Sequence, residues 1–165
     1  MTLSAKLYAA IGFILSGSPG EGTNEHEVDA SLTPMEFTTG SGANQANHAF
    51  ADVRSLAASA NETLDLYGGL TDGLGQTINF ANIKAILIKA DAANGGNIVV
   101  GAAASNPFLA GFAGTTPTFA IPPDGVFQIA DPAGWAVTNS SNDQLKIANS
   151  DSGAAASYTI VIIGG

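Results

Sequence analysis

The chain predicts an all-β fold, two antiparallel sheets packed as a sandwich, and three observations carry that prediction. From Leu64 to Gly165, short apolar runs rich in Ile, Val and Phe alternate with Gly, Pro, Asn and Asp breaks, the spacing of strands joined by turns. Twenty glycines are available for those turns. Charged residues make up only 12% of the chain, so the Lys-rich and Glu-rich stripes that clothe solvent-facing helices are missing. At 165 residues the chain suits one domain over 1–165, because a single core of that size buries about 70% of the surface an unfolded chain exposes.

The first strand candidate, Lys6 to Ser16, is apolar on both parities, the pattern of a strand covered on both faces. Its run Leu7 to Leu15 follows one lysine and precedes Ser16-Gly17-Ser18, the outline of a signal peptide. A strand or arm over 1–16 is preferred. The run is far shorter than the ~20 residues of a membrane-crossing helix, and Tyr8, Ile11, Phe13 and Ile14 favour strand. No other segment approaches transmembrane length. Ser16 to Asn24 reads as a loop, within a flexible stretch near 17–27. Between Glu25 and Thr38, Val28, Ala30 and Leu32 alternate with Asp29, Ser31 and Thr33 as in a half-buried strand, and Pro34 moves it toward an edge or a bulge. Thr39-Gly40-Ser41-Gly42 ends it.

From Ala46 to Ala58 the spacing of Ala49, Val53, Leu56 and Ala57 allows a helix, but a strand is preferred because its neighbours favour β. His48, Phe50, Asp52, Arg54 and Leu56 then share one face. Asn61 to Tyr67 continues as a strand with Leu64 and Leu66 toward the core, closed by Gly68-Gly69. The run Ile78 to Ala90, containing Ile83-Lys84-Ala85-Ile86-Leu87-Ile88-Lys89, reads as the central strand. Asn94-Gly95-Gly96-Asn97 reads as a hairpin turn that returns Ile98-Val99-Val100 antiparallel beside it. Pro107 and Pro117 bracket a looser, flexible loop near 101–117 carrying Phe108, Leu109 and Phe112. Thr118 to Ile121 and Val126 to Ile129 follow, and Asp131-Pro132-Ala133-Gly134 turns into Trp135-Ala136-Val137. Asp143 to Ala148 and Tyr158 to Ile163 complete nine or ten strands, with a jelly roll the leading topology.

Fourteen acidic residues against five basic ones give a formal charge of −9, which repels a phosphate backbone and disfavours nucleic acid. The absence of cysteine leaves no thiolate metal site and no disulfide. Zinc would depend on His26, His48 and carboxylates, far apart and without ligand spacing. No Gly-x-Ser-x-Gly elbow occurs, and Gly73-Leu74-Gly75 is a turn rather than a dinucleotide fingerprint. Glu36, Glu62, Asp52 and Asp65 could form a glycosidase-like carboxylate pair only if the fold brought them together. Asp72, Asp91, Asp124, Asp131 and Asp151 lie in turns, where Asp caps the backbone by itself, so calcium is a minor reading. Trp135 reads as core or interface before sugar platform. No catalytic residue, cofactor or metal is assigned, and the expectation is a protein that is not an enzyme.

Leu64-Asp65-Leu66-Tyr67-Gly68-Gly69-Leu70-Thr71-Asp72, Ile83 to Lys89, Gly134-Trp135-Ala136-Val137, Lys146-Ile147-Ala148-Asn149 and Tyr158-Thr159-Ile160-Val161-Ile162-Ile163-Gly164 together resemble segments of small tailed-phage virion proteins. Arg54-Ser55-Leu56-Ala57-Ala58-Ser59-Ala60 is similar as well, so the likeness runs from about Ala46 to the end, with Leu3 to Leu7 looser. What it implies is a jelly-roll structural subunit of the capsid cement or decoration type. Such a subunit is a homo-oligomer, a trimer by preference, that bridges the major capsid protein on the virion exterior without nucleic-acid or membrane contact. Its apolar N-terminal run and the Gly101 to Pro117 loop are the expected contacts, through Leu7, Ile11, Phe13, Phe108, Leu109 and Phe112. A tail, baseplate or fibre-base component and a carbohydrate-binding module stacking sugars on Trp135, Tyr67 or Tyr158 are the alternatives.

Overall fold

The computed structural model describes residues 2–17, 20, 24–109, 111–114 and 116–165, which hold fifteen strands and no helix. The all-β expectation therefore stands, with more and shorter strands than the nine or ten expected. The N-terminal strand divides into β1 (Ser4–Leu7) and β2 (Ala10–Gly17); β3 (Asn24–Ser31) returns along β2, and β4 (Met35–Thr39) along β1. These four form one long hairpin interrupted at Tyr8-Ala9 opposite Leu32-Thr33-Pro34, where proline has no N–H for the ladder. Leu32 N–H still reaches Ala9 O at 3.0 Å. Short β5 (Gln45–Ala46) joins β4 in parallel, giving a small sheet ordered β1-β4-β5.

The remaining strands are β6 (His48–Leu56), β7 (Asn61–Asp65), β8 (Tyr67–Thr71), β9 (Thr77–Asn79), β10 (Asn82–Ala90), β11 (Ile98–Gly101), β12 (Thr118–Ile121), β13 (Val126–Ala136), β14 (Gln144–Asn149) and β15 (Ala156–Gly164). They make two four-stranded sheets, β13-β10-β15-β6 and β12-β11-β14-β7, with β8·β9 a separate hairpin. Every pairing within the two large sheets is antiparallel. The partners are nested: β6 with β15, β7 with β14, β10 with β13, β11 with β12. A ribbon doubled about the 102–117 segment and wrapped into two layers has this order, which is the jelly roll. Between the layers lie Phe50, Leu64, Phe80, Ile86, Ile88, Ile98, Leu145, Ile147, Ile160 and Ile162, all nearly or fully buried.

Four local expectations need correction. β10 and β11 are not neighbours, because Asn94 fastens their connection to β15 instead: its side chain donates to Ser157 O at 2.9 Å and accepts from Ser157 N–H at 2.7 Å. The chain crosses from one sheet to the other there. Asp131 to Gly134 does not start a new strand; it bulges out of β13, whose register against β10 jumps from Ala85↔Ala130 to Ile83↔Trp135. Lys84 fills the bulge, 1% exposed, donating through Nζ to the carbonyls of Pro132 at 3.2 Å and Ala133. Gly134 there has φ +85°, and a Cβ would stand 2.8 Å from Lys84 Cδ. Gly68-Gly69 runs on into β8 rather than closing a strand, and the 78–90 run breaks at Phe80-Ala81, where Ala81 and Asn82 N–H both turn to Gly165 O.

Candidate interaction surface

The feature that departs most from an ordinary sandwich is the β2·β3 ribbon. Among the described residues neither strand pairs with any other, and all eight residues of β2 are exposed, the opposite of the two-sided cover expected for this segment. Direct cross-strand partners in an antiparallel pair share a face, so the register assigns the two sides. One side carries Ile11, Phe13 and Leu15 with Ala30, Val28 and His26; the other carries Gly12, Ile14 and Ser16 with Asp29, Glu27 and Glu25. Ile11 is 76% exposed and Leu15 66%, while the His26 ring stands edge-on to Phe13 with centroids 5.7 Å apart. The sequence has no Lys or Arg between Lys6 and Arg54, so every charged residue on the ribbon's polar side is acidic. Eight residues of strand reach about 26 Å. A lone two-stranded ribbon is marginal in water, and a contiguous apolar face marks an interaction site.

The root of the same hairpin lies over the outer face of β13-β10-β15-β6. Lys6, Leu7 and Tyr8 share a cleft of 280 Å³ with Leu87, Gln128, Val161 and Ile163, and Gln128 Nε2 donates to Tyr8 O at 3.2 Å. At the other end of β1, Leu3 and Ser4 adjoin Ala49 of β6. β1 thus crosses the sheet from β6 to β13. The half of the outer face toward Val53 and Val126 stays open, at 73% and 53% exposure.

Of the six expected contact residues, the fold brings Leu7, Ile11 and Phe13 together along the N-terminal hairpin. It separates the other three. Phe108 is 1% exposed and belongs to the core, its N–H bonded to Gln144 O at 2.8 Å, which corrects its assignment as a contact side chain. Leu109 is half-buried, and Phe112 lies against the core with its ring stacked on Phe127 at 5.8 Å. The 101–117 loop is thus tied down at Phe108 and Phe112; of the loop expected over 17–27, Asn24 to Glu27 lie in β3. Ala110, Thr115, Ser18, Pro19 and residues 21–23 fall outside the described residues. Sequence reading missed the other half of the surface, Leu87, Val161 and Val53. Their outward apolar positions on β10, β15 and β6 were the available signal.

The polar side chains do structural work. Arg54 of β6 donates through Nε to Glu62 Oε2 at 2.8 Å and through Nη1 to Asp52 Oδ2 at 2.8 Å, while Tyr158 Oη donates to Glu62 Oε1 at 2.7 Å. Glu62 stands on β7, so this cluster latches one sheet to the other. Burial pushes the Glu62 carboxyl up, but hydrogen bonds from Arg54 and Tyr158 outweigh it and hold the group below its ordinary value. Burial and the Glu62 bond raise the Tyr158 phenol, and the Glu62 bond raises the Arg54 guanidinium. A carboxylate held ionised in this way is a poor general acid. Of the four carboxylates considered as pairs, Asp52 and Glu62 meet on Arg54, Glu36 pairs with Lys6, and Asp65 accepts from Tyr67 N–H at 2.9 Å.

Asp72, Asp91, Asp131 and Asp151 each accept a backbone N–H two residues on, from Leu74, Ala93, Ala133 and Gly153. That is the turn-capping role. His48 packs edge-on to Phe80 at 5.9 Å, on a different sheet from His26. Among the described residues no three His, Asp or Glu side chains stand where they could hold one metal ion. Trp135 is half-buried against the core, Tyr158 is 1% exposed, and Tyr67 is the more open at 38%. No helix among the described residues is long and apolar enough to cross a membrane. Comparison with protein-family models, curated proteins and solved structures finds no match to this chain.

Proposed function

We propose that this chain is a structural subunit whose work is to hold neighbours together, and specifically a cement or decoration protein on the outside of a tailed-phage head. In this reading it forms a homotrimer and bridges subunits of the major capsid protein, so that opening the shell must break added interface. It carries out no reaction.

The observation that carries the proposal is the exposed, amphipathic β2·β3 ribbon on a jelly roll whose polar groups are spent on latching and capping. Apolar side chains held at 61–76% exposure on Ile11, Ile14 and Leu15 are unfavourable in an isolated subunit and favourable once covered. The charge of −9 suits the shell exterior better than a seat against packaged DNA. The likeness to small virion proteins from Ala46 onward supports the head placement. Cryo-electron microscopy of intact particles tests it: density for the jelly roll on the head surface is the expected result, and density confined to tail or baseplate would replace the cement reading. Light scattering of the purified chain should give three times the 16.5 kDa subunit mass.

A further inference from the structure

We propose that the β2·β3 ribbon of one subunit lies on the open half of the outer face of β13-β10-β15-β6 in a second copy of this chain. The proposal rests on the reading of the chain as an assembling subunit and adds which two surfaces meet.

Within one chain the ribbon's apolar side is uncovered, and so is the Val53 to Val126 part of the outer face, while the row beside it borders the β1 root. A sheet with a solvated outer face alternates apolar inward and polar outward. Here the outward rows read Val53–Thr159–Lys89–Val126 and Ala51–Val161–Leu87–Gln128, with apolar Val53, Val126, Ala51, Val161 and Leu87 where a solvated face would carry polar side chains. The ribbon offers Ile11, Phe13, Leu15 and Val28 in return. Dimensions agree: from β6 to β13 is about 14 Å across three strand spacings, within the ribbon's reach of about 26 Å.

The apolar rows carry the contact, and charge is neutral to it. The ribbon bears Glu25, Glu27 and Asp29 and no cation. Lys6 and Lys89 border this outer face at 49% and 52% side-chain exposure but already pair with Glu36 and Asp124, so a ribbon carboxylate reaches either ammonium only by sharing it in an exposed pair worth little. Backbone geometry supplies a further match, since β1 is the outer strand of β1-β4-β5 and its unpaired edge borders the cleft. An incoming strand running beside it completes that edge by β-augmentation. A subunit's own ribbon is badly placed to do so, because it leaves from Ala10, two residues past Tyr8, which itself lines the cleft. The contact joins different surfaces on the two copies, so it is head-to-tail and closes when the subunits form a ring.

The chain has no cysteine, which makes pairing between copies directly readable. Phe13→Cys and Val53→Cys chains, prepared separately, mixed and treated with a short bismaleimide, should give a covalent two-chain product. Phe13→Cys mixed with Thr138→Cys should give little. Phe13→Asp and Val53→Asp, both at exposed positions, should each reduce the light-scattering mass to the single-chain 16.5 kDa with an unchanged circular dichroism spectrum. An oligomer that survives Val53→Asp, or cross-links to position 138 as readily as to 53, overturns the ribbon contact while leaving assembly intact. A wild type that is monomeric at every concentration yet occupies phage heads overturns exchange between copies and leaves the cement reading standing.

Discussion

β2 and β15 are built from similar residues and meet opposite fates. Ala10–Gly17 reads AIGFILSG and is exposed at every position; Ala156–Gly164 reads ASYTIVIIG and alternates between buried and partly exposed, with Ile160 and Ile162 at 0%. The difference lies in neighbours. β15 is paired on both sides, with β10 and β6, and has the second sheet across the core, whereas β2 has β3 alone. Burial in this molecule is decided by what the topology places alongside a strand, and a strand as apolar as a core strand with no such neighbour is unfinished within one subunit.

The largest effect expected from that contrast comes from the same kind of substitution at its two ends. Ile160→Asp or Ile86→Asp removes a side chain worth about 1.5–3 kcal/mol on burial and puts an unpaired carboxylate between the sheets, so neither variant should yield folded protein. Ile11→Asp, on the open face of the ribbon, should fold normally. Far-UV circular dichroism and thermal melting check both, and a folded Ile160→Asp protein would erase the distinction between the two strands. Phe108→Asp belongs with the first group, since its ring is in the core.

Next in size is the bulge that shapes β13, where the sandwich holds its one buried ammonium among the described residues. Lys84→Met keeps the aliphatic stem and removes the donor to Ala133 O, whereas Pro132 O retains the N–H of Asn44 at 3.1 Å. Leaving one carbonyl without its partner costs about 1–3 kcal/mol. The neighbouring Trp135 is the sole tryptophan, so urea unfolding followed by indole emission reads both the lower midpoint and any change in the folded spectrum. The ribbon should be indifferent to this change.

Much of the sandwich was legible because each strand carries its own period-two pattern and its own breaker. His48 to Leu56 shows it: two buried apolar residues, Phe50 and Leu56, fall on the face alternation assigns them. Sheet membership was less legible. Asn94-Gly95-Gly96-Asn97 has the chemistry of a hairpin, and only Asn94's bonds to Ser157, 63 residues away, make it a crossing between sheets. Two-sided apolarity in Lys6 to Ser16 looks the same for a strand enclosed by its own fold and for one awaiting another molecule. The inter-sheet latch had a faint signal: an arginine at 54 on the same face as Phe50 and Leu56 required a carboxylate from elsewhere, which proved to be Glu62.

That latch supplies a smaller, pH-dependent effect confined to the sandwich. The Glu62 carboxyl is held below its ordinary value of 4.5, so the unfolded chain binds its proton more readily than the folded one. The stabilisation is therefore complete above 4.5 and is lost as pH falls through the lower folded value. Glu62 is only partly buried, so solvent screening keeps the effect small. Melting temperature should fall below pH 4.5 more steeply in the wild type than in Glu62→Gln, and parallel curves would remove Glu62 from the latch.

The smallest thermodynamic effect, and the sharpest test of the comparison, belongs to the ribbon. Ile11→Ser removes an apolar side chain that is already 76% exposed, so the stability of a dilute, isolated subunit should change by no more than about 0.5 kcal/mol. Hydrogen exchange should show why. A two-stranded ribbon with no third strand opens locally at little cost, so the amides of β2 and β3 should exchange far faster than those of β10 and β15 in the free subunit. They should slow by orders of magnitude when the subunit assembles, and Ile11→Ser should reduce that slowing without altering exchange in the sandwich. Strong protection of β2 in a demonstrated monomer would mean that the ribbon is finished by its own chain, and the contrast with β15 would be one of surface exposure alone.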